Sequence, residues 1–266
     1  MAGSFVSKGV RVKIGVVGKG GVGKTSVSSL LSRVLVERGR RVIAVDTDSN
    51  PNLGLSLGLT HDETESQKAI PRSIIVGNRG DLTIEELVGD YAVDTPEGVT
   101  LLSALRVTEA GAGCTCGGHA TVRSLLGETM DAIADDTVVD MEAGIEHLSR
   151  SGGTLAHVDV LVLVFEPSRK AVITAQRTIQ LARELGISKW IGVANKVGPD
   201  ERECVESLCC EYDVPLAIVI PWDETIGVAD RAGRPVKTTE APEVWNAVRA
   251  LADLIAHQGS FVSTSV

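Results

Sequence analysis

A glycine-rich octapeptide near the N-terminal end of the chain is the segment whose residue types and spacing best suit chemistry. Gly18–Thr25 reads GKGGVGKT, which fits the pattern Gly-x4-Gly-Lys-Ser/Thr, and it separates a β-branched run from a helical pattern. In such a loop, glycines let backbone N–H groups turn toward phosphate oxygens, and the helix N-terminus adds positive potential. Lys24 would neutralise the β- and γ-phosphates, and the Thr25 hydroxyl would coordinate Mg²⁺. The segment therefore predicts a site for a nucleoside triphosphate, formed by Gly18, Gly20, Gly21, Val22, Gly23, Lys24, Thr25 and Ser26.

A carboxylate at the end of a later apolar run is the second chemical signal. Val138–Gly144 reads VVDMEAG, so that Asp140 ends a predicted strand and Gly144 follows four residues later. This is the Walker B and switch II pattern, in which the aspartate lies beside the hydration shell of Mg²⁺ and the glycine approaches the γ-phosphate. The alternative interpretation of Asp140 is a capping aspartate.

Two further aspartates follow the second predicted strand. The segment 44–51 reads AVDTDSNP, and alternate residues of a strand share a face, so Asp46 and Asp48 can both face one site. If this strand neighbours the strand before the glycine loop, both carboxylates lie near the phosphates. A helix cap or a turn is the alternative for this D-x-D segment.

A closely spaced cysteine pair lies in the segment GAGCTCGGH, as Cys114 and Cys116, with His119 at its end. A C-x-C in an extended loop can place two thiolates on one side, and two thiolates make an incomplete site for Zn²⁺ or Ni²⁺. Two copies across a twofold axis supply four sulfurs, which suits either metal ion. The alternatives are a redox pair or chance, and His119 is better explained as a cap or a solvated side chain. The cysteines on a helical pattern are interpreted as inert or partly buried thiols: Cys204, Cys209 and Cys210.

The composition indicates which fold and which partners suit these residues. The chain has 266 residues, of which 43% are hydrophobic and only 3% aromatic, a balance typical of a parallel sheet buried on both faces. We expect one domain over residues 10–257, with flexible tails at 1–9 and 258–266. The net charge of −9 argues against a general nucleic-acid binder, which needs a basic face.

Neither a signal peptide nor a membrane span is expected from the sequence. Residues 1–8 lack an apolar stretch long enough for a leader, and the run Val160–Phe165 is far too short to cross a bilayer. We therefore expect a cytoplasmic protein without stable membrane association. In that compartment the five cysteines are more consistent with reduced or metal-binding thiols than with disulfides.

Strand and helix patterns alternate along the chain. Strands are predicted at 12–17, 41–46, 99–105, 137–141, 159–165, 190–195 and 215–220, and helices at 24–38, from 118 to about 134, and at 169–185, 200–212 and 242–257. Residues 62–96 are expected to be irregular, with a helical pattern only near 84–88. This alternation predicts an α/β fold with a doubly wound, mostly parallel sheet of about seven strands flanked by helices, and ligands at the carboxyl ends of the strands.

The heptapeptide KGGVGKT resembles the deviant phosphate loop of one family of P-loop ATPases. That family contains the Min and Par partition ATPases, the nitrogenase iron protein, the arsenite-pump ATPase and nickel-insertion ATPases. The resemblance implies a homodimer that encloses two ATP molecules, in which each Lys19 reaches the partner's nucleotide as an arginine finger does. It also implies that Asp48 positions the attacking water, that Asp46 supports the hydrated Mg²⁺, and that Asn195 and the loop at Pro221 hold the adenine base. Lys19, Lys24 and Asp48 are thus the candidate catalytic residues, and a solvated lysine is the alternative for Lys19.

Four segments together are similar to the CooC-type ATPases that help nickel enter carbon monoxide dehydrogenase: GKGGVGKT, DTDSN, the internal C-x-C and DMEAGIEHLSR. This resemblance implies an ATP-hydrolysing metallochaperone whose cysteines form a Ni²⁺ or Zn²⁺ site between two subunits, with a metalloenzyme as client. One alternative is a partition or cell-division regulator, but the predicted helix at 242–257 lacks the Lys/Arg-rich face of a membrane-binding helix. The other is an iron–sulfur-carrying redox ATPase, whose widely separated cysteines differ from this C-x-C.

Overall fold

Strands and helices alternate through the part of the chain that the structure, a computed structural model, describes: residues 11–48, 50–70, 83–104, 133–141 and 157–259. The strands are β1 (Val12–Val17), β2 (Val42–Asp46), β3 (Val93–Asp94), β4 (Thr100–Ser103), β5 (Asp136–Asp140), β6 (Val160–Phe165), β7 (Trp190–Val197) and β8 (Leu216–Pro221). The helices are α1 (Lys24–Glu37), α2 (Leu53–Ser56), α3 (His61–Ser66), α4 (Ile84–Tyr91), α5 (Arg169–Glu184), α6 (Arg202–Glu211), α7 (Glu224–Arg231) and α8 (Pro242–Gly259).

The strands form one sheet in the order β3-β4-β2-β5-β1-β6-β7-β8. Every neighbouring pair is parallel except β3 and β4, which pair antiparallel at one edge. The prediction of a doubly wound, mostly parallel sheet is therefore confirmed. The eighth strand is the two-residue β3, which lies in a segment expected to be irregular because so short a strand leaves no periodic pattern.

Helices cover both faces of the sheet, which is why its strands are almost purely apolar. Along β6, alternate residues belong to opposite cores: Val160, Val162 and Val164 pack with α1 and α8, and Leu161, Leu163 and Phe165 pack with α5 and α6. On the first face, Trp245 of α8 is among the largest fully buried side chains. None of the helices within the described ranges is long and apolar enough to cross a membrane.

Several short elements differ from the sequence expectation. Helix α3 overlaps the start of the expected irregular segment and begins with a capping box, in which Thr60 and Glu63 exchange side-chain and backbone hydrogen bonds. Helix α7 follows β8 directly and is capped by Asp223, which accepts a hydrogen bond from the Thr225 N–H at 2.8 Å. Helix α8 continues to Gly259, two residues beyond its predicted end. The predicted helix from 118 to about 134 lies outside the described residues, apart from its last two positions, as do most of the predicted tails.

Candidate functional site

The carboxyl edge of the sheet brings the glycine loop and the predicted carboxylates together. Strand β5 lies between β1 and β2, and in its register Asp140 is opposite both Val16 of β1 and Asp46 of β2. Because the glycine loop follows β1 directly, both aspartates end their strands beside it. The condition set from the sequence, that the D-x-D strand should neighbour the loop strand, is not met, because β5 lies between β2 and β1. The D-x-D segment lies near the loop nonetheless, since Asp46 is opposite Asp140 at the end of β5.

The glycine loop needs its glycines at two positions for different reasons. A Cβ on Gly18 would overlap the carbonyl oxygen of Val164 at the end of β6, so no larger residue fits there. Gly23 ends the loop at the start of α1 with φ of 91°, a left-handed conformation that favours glycine. A side chain on Gly23 would also overlap the amide of Asn195. The loop is therefore packed closely against the ends of β6 and β7.

Lys24, the first residue of α1, is buried and turns back over the loop. Its ammonium donates a hydrogen bond to the Lys19 carbonyl oxygen at 3.3 Å. Lys19 itself is exposed, at the opposite end of the loop from the packed Gly23. The two lysines of the motif thus differ in environment, one enclosed and one accessible to another molecule.

Asp140 is a buried carboxylate held by two hydroxyl groups of α1. The Thr25 and Ser28 hydroxyls donate to its side chain, Ser28 at 3.0 Å. Burial raises the pKa of Asp140 to about 6, although these two hydrogen bonds and the charge of Lys24 oppose the increase. Thr25, predicted as a magnesium ligand, therefore lies in direct contact with the carboxylate of Asp140.

Asp46 is also buried, and both of its carboxylate oxygens accept backbone hydrogen bonds. The N–H of Asp48 and the N–H of Leu53 donate to them, each at 3.0 Å. Burial and the nearby charge of Asp140 raise the pKa of Asp46 to about 7. These contacts fix the turn between β2 and α2, so Asp46 holds the segment that carries Asp48.

Asp48 is half-buried and faces a cleft of about 460 Å³ beside the glycine loop. One wall of the cleft is formed by the loop and the first turns of α1, and the other by the ends of β7 and β8 and by α7. The residues of the loop and of the start of α1 that line it are Gly20, Gly21, Gly23, Lys24, Thr25 and Ser26, and those from β7, β8 and the segment after β8 include Asn195, Pro221 and Trp222. The cleft therefore joins predicted phosphate-binding residues to predicted base-binding residues.

The sequence did not single out Lys196, which lines the cleft, whereas Trp222 belongs to the loop at Pro221 that was expected to hold the base. Lys196 donates from its ammonium to the Gly21 carbonyl oxygen at 2.6 Å and to the Glu166 carboxylate at 2.8 Å. Trp222 is 60% exposed at the cleft margin. Lys196 follows Asn195 in the sequence, but a dipeptide does not indicate that its side chain reaches a loop more than 170 residues away.

The predicted metal site falls outside the part of the chain that the structure describes, because Cys114, Cys116 and His119 all lie in the segment 105–132. Gly144, of the switch II pattern, is likewise outside it. Of the remaining cysteines, Cys209 is buried and its thiol has a pKa raised by burial to about 11, whereas Cys204 and Cys210 are exposed. Among the described residues, His, Cys, Asp and Glu form no group of three or more that could hold a metal ion.

Comparison with known proteins finds relatives whose sequences align with most of this chain. Residues 14–236 match the family model described as the CobQ/CobB/MinD/ParA nucleotide binding domain. The chain is 35% identical over 240 residues to the carbon monoxide dehydrogenase accessory protein CooC of Rhodospirillum rubrum, covering 84% of this chain and 88% of that protein. It is 32% identical over 241 residues to an uncharacterized ATP-binding protein of Methanocaldococcus jannaschii, covering 85% and 91% of the two chains.

Solved structures share the fold at lower identity. The septum site-determining protein MinD from Pyrococcus horikoshii, complexed with Mg-ADP, superposes with a TM-score of 0.70 at 23% identity, covering 96% of this chain and 99% of that one. A cobyrinic acid a,c-diamide synthase from Mycobacterium smegmatis, with a bound ATP analog and magnesium, gives a TM-score of 0.70 at 22% identity, covering 95% and 97%. These likenesses concern the fold alone.

Proposed function

This chain belongs to the CobQ/CobB/MinD/ParA nucleotide-binding family and is a P-loop ATPase, and from that premise we propose that it is a dimeric metallochaperone. In this proposal ATP hydrolysis drives the delivery of Ni²⁺ or Zn²⁺ to a client metalloenzyme such as carbon monoxide dehydrogenase. The observation that carries the proposal is the 35% identity to a carbon monoxide dehydrogenase accessory protein along 84% of this chain. The metal ion is the cargo in this function.

The phosphate end of the cleft has the donor set that a magnesium–nucleotide complex requires. Oxygen ligands suit Mg²⁺, and the hydroxyl of Thr25 and the carboxylate of Asp140 are already in contact. The raised pKa values of Asp46 and Asp140 fit a site in which a cation balances two buried carboxylates. Mg²⁺ bound there would neutralise charge on the β- and γ-phosphate oxygens. Lys24 would bind the same oxygens, and Asp48, held on the turn fixed by Asp46, would orient the attacking water.

The base end of the cleft suits a purine. Asn195 and Pro221 line it together with Trp222, so an amide and an apolar surface are both available to the base. The Asn195 amide group donates one hydrogen bond to the Val22 carbonyl oxygen at 2.8 Å. Its second N–H and its oxygen are the groups we assign to the adenine edge.

Dimerisation is proposed because Lys19 is exposed and directly precedes Gly20, which lines the nucleotide cleft. An exposed lysine in this position can reach a nucleotide bound by a second subunit, which a buried one could not. In the proposed dimer Lys19 stabilises the charge that develops on the partner's γ-phosphate during hydrolysis. Each subunit also contributes Cys114 and Cys116, so that four thiolates hold one Ni²⁺ or Zn²⁺ ion.

The cysteine pair provides the direct test of the metallochaperone function. The double variant Cys114→Ala/Cys116→Ala should lose stoichiometric binding of Ni²⁺ and Zn²⁺ and retain ATP binding, measured by metal analysis and calorimetry after anaerobic purification. The matched control is Cys204→Ala/Cys210→Ala, which removes two exposed thiols and should bind metal as the parent does. Unchanged metal binding by the first variant would overturn the proposal.

The same preparations distinguish the other candidate functions. Co-sedimentation with lipid vesicles or DNA that depends on ATP would indicate a partition or cell-division regulator instead. A brown protein that carries an iron–sulfur cluster after anaerobic purification would indicate a redox ATPase. We expect neither result from this chain.

A further inference from the structure

The outer side of the phosphate loop is held by two consecutive residues at the end of β7. The Asn195 amide donates to the Val22 carbonyl oxygen at 2.8 Å, and the Lys196 ammonium donates to the Gly21 carbonyl oxygen at 2.6 Å. Two successive carbonyls of the loop are therefore directed toward β7. On the far side of the lysine, Glu166 accepts from the same ammonium at 2.8 Å.

Holding these carbonyls also fixes the direction of the N–H groups that follow them. In a planar trans peptide the C=O and the next N–H point to opposite sides. When the Gly21 carbonyl is held by Lys196, the Val22 N–H is directed away from β7 and into the loop, where it donates to the Lys19 carbonyl oxygen at a long distance of 3.5 Å. The Val22 carbonyl, held by Asn195, fixes the Gly23 N–H in the same manner. Backbone N–H groups are what a phosphate loop offers its ligand, so these contacts set their orientation before the nucleotide binds.

The backbone of Lys196 has a conformation that a lysine seldom adopts. Its φ is 58°, in the left-handed region, where the β-carbon of an L-residue is crowded. Such a conformation persists when surrounding contacts determine it, and it is concentrated at functional sites. Here it accompanies two strong contacts of the side chain, one to the loop and one to Glu166 at the end of β6.

We propose that Lys196 is a positioning residue for nucleotide binding, which keeps the Gly21–Val22 peptide in the orientation that phosphate oxygens require. Its ammonium contacts the outer carbonyl of the loop, so it acts through the loop. Glu166 holds the ammonium in place. Because the loop binds the phosphates and not the base, loss of Lys196 should weaken the binding of ligands with and without a nucleobase by the same factor.

Lys196→Met tests this role because methionine keeps the apolar length of the side chain and removes the donor. Calorimetry should show that Mg-ATP and Mg-tripolyphosphate both bind about tenfold more weakly and by the same factor, as expected for one lost hydrogen bond from a charged donor. The stoichiometry should stay at one ligand per chain, which excludes a loss of folded protein. Lys170→Met, at an exposed lysine of α5, is the matched control and should leave both affinities unchanged.

Two other variants keep the proposal falsifiable if Lys196→Met does not fold. Lys196→Arg retains a charged donor and should recover most of the affinity for both ligands. Glu166→Gln retains a neutral acceptor for the ammonium and should weaken both by only a few-fold. The proposal is overturned if loss is confined to ATP, which would mean that Lys196 contacts the base. It is equally overturned if tripolyphosphate binding is unchanged in all three variants.

Discussion

Asp46 and Asp140 lie opposite each other on β2 and β5, and each is almost fully buried. Their folded-state pKa values, about 7 and about 6, lie above the ordinary aspartate value near 4. Between pH 4 and 7 the folded state therefore binds more protons than the unfolded state, and stability falls as pH rises through that window. Without Mg²⁺ or nucleotide, we predict a decrease in the free energy of unfolding on the order of 4 kcal/mol from pH 5 to pH 8.

Urea denaturation of aspartate variants at several pH values checks which groups cause the slope of the free energy of unfolding against pH. Asp46→Asn and Asp140→Asn should each flatten it, because each variant removes one group that titrates in the window. Asp135→Asn is the contrasting control, since Arg41 lowers the pKa of Asp135 to about 2 and this group stays ionised from pH 5 to pH 8. Equal slopes in all four proteins would contradict the assignment.

Gly23 gives a second prediction at the scale of one residue. Gly23→Ala places a methyl group on the Asn195 amide and should weaken ATP binding by more than tenfold, because the loop must move away from β7. Gly39→Ala is the matched control: its φ of 76° is also left-handed, but a methyl group there meets nothing within 4 Å. We expect Gly39→Ala to cost about 1 kcal/mol of stability and leave ATP affinity unchanged. Similar affinity losses in both variants would show that backbone strain alone is responsible.

At the scale of elements, Arg33 connects α1 with α8 and with the segment before it. The Arg33 guanidinium pairs with Glu97 at 2.7 Å, donates to the Val236 carbonyl oxygen at 2.6 Å and lies 4.8 Å from the ring centroid of Trp245. Arg33→Ala should therefore destabilise the protein by about 3 kcal/mol, because the polar partners lose a buried donor.

The exposed pair Arg202–Glu206 on α6 serves as the control for this prediction. Arg202→Ala removes an ion pair of the same chemistry at the surface and should cost at most about 0.5 kcal/mol. Chemical denaturation measures both variants, and a loss below 1 kcal/mol for Arg33→Ala would show that the contacts of Arg33 contribute little.

The sequence predicted the elements whose patterns are long and the site residues that belong to one continuous motif. Each strand of the sheet except β3 lies within about two residues of its predicted bounds, because buried parallel strands are unbroken apolar runs. The elements α2, α3 and β3 are too short for periodicity, and α7 follows β8 without an apolar pattern of its own. The contacts of Lys196 and Asn195 with the loop depend on β7 lying beside β6, which is a property of the sheet order.

At the scale of the whole molecule, Lys19 provides the test of the proposed dimer. Lys19→Ala should prevent ATP-dependent dimerisation and hydrolysis, because the partner's γ-phosphate loses its cation, and should leave the affinity for nucleotide nearly unchanged. Native mass and phosphate release, each measured with and without ATP, check these outcomes. Lys170→Ala is the control at another exposed lysine. Turnover at the parent rate in Lys19→Ala would contradict a role in the partner's site.

The positions of the three tryptophans make the intrinsic fluorescence of this protein a signal of nucleotide binding in the cleft. Trp245 is fully buried with its indole N–H bonded to the Lys237 carbonyl oxygen, and Trp190 is half-buried beside Arg183. Trp222, at the margin of the cleft, is the most exposed of the three, so we expect it to have the most red-shifted emission. A change in the spectrum during a nucleotide titration will thus arise mainly from one indole. Nucleotide binding to the unlabelled chain can be followed in this way by stopped-flow fluorescence. Trp222→Phe is the reference, in which the fluorescence change on binding should be largely lost.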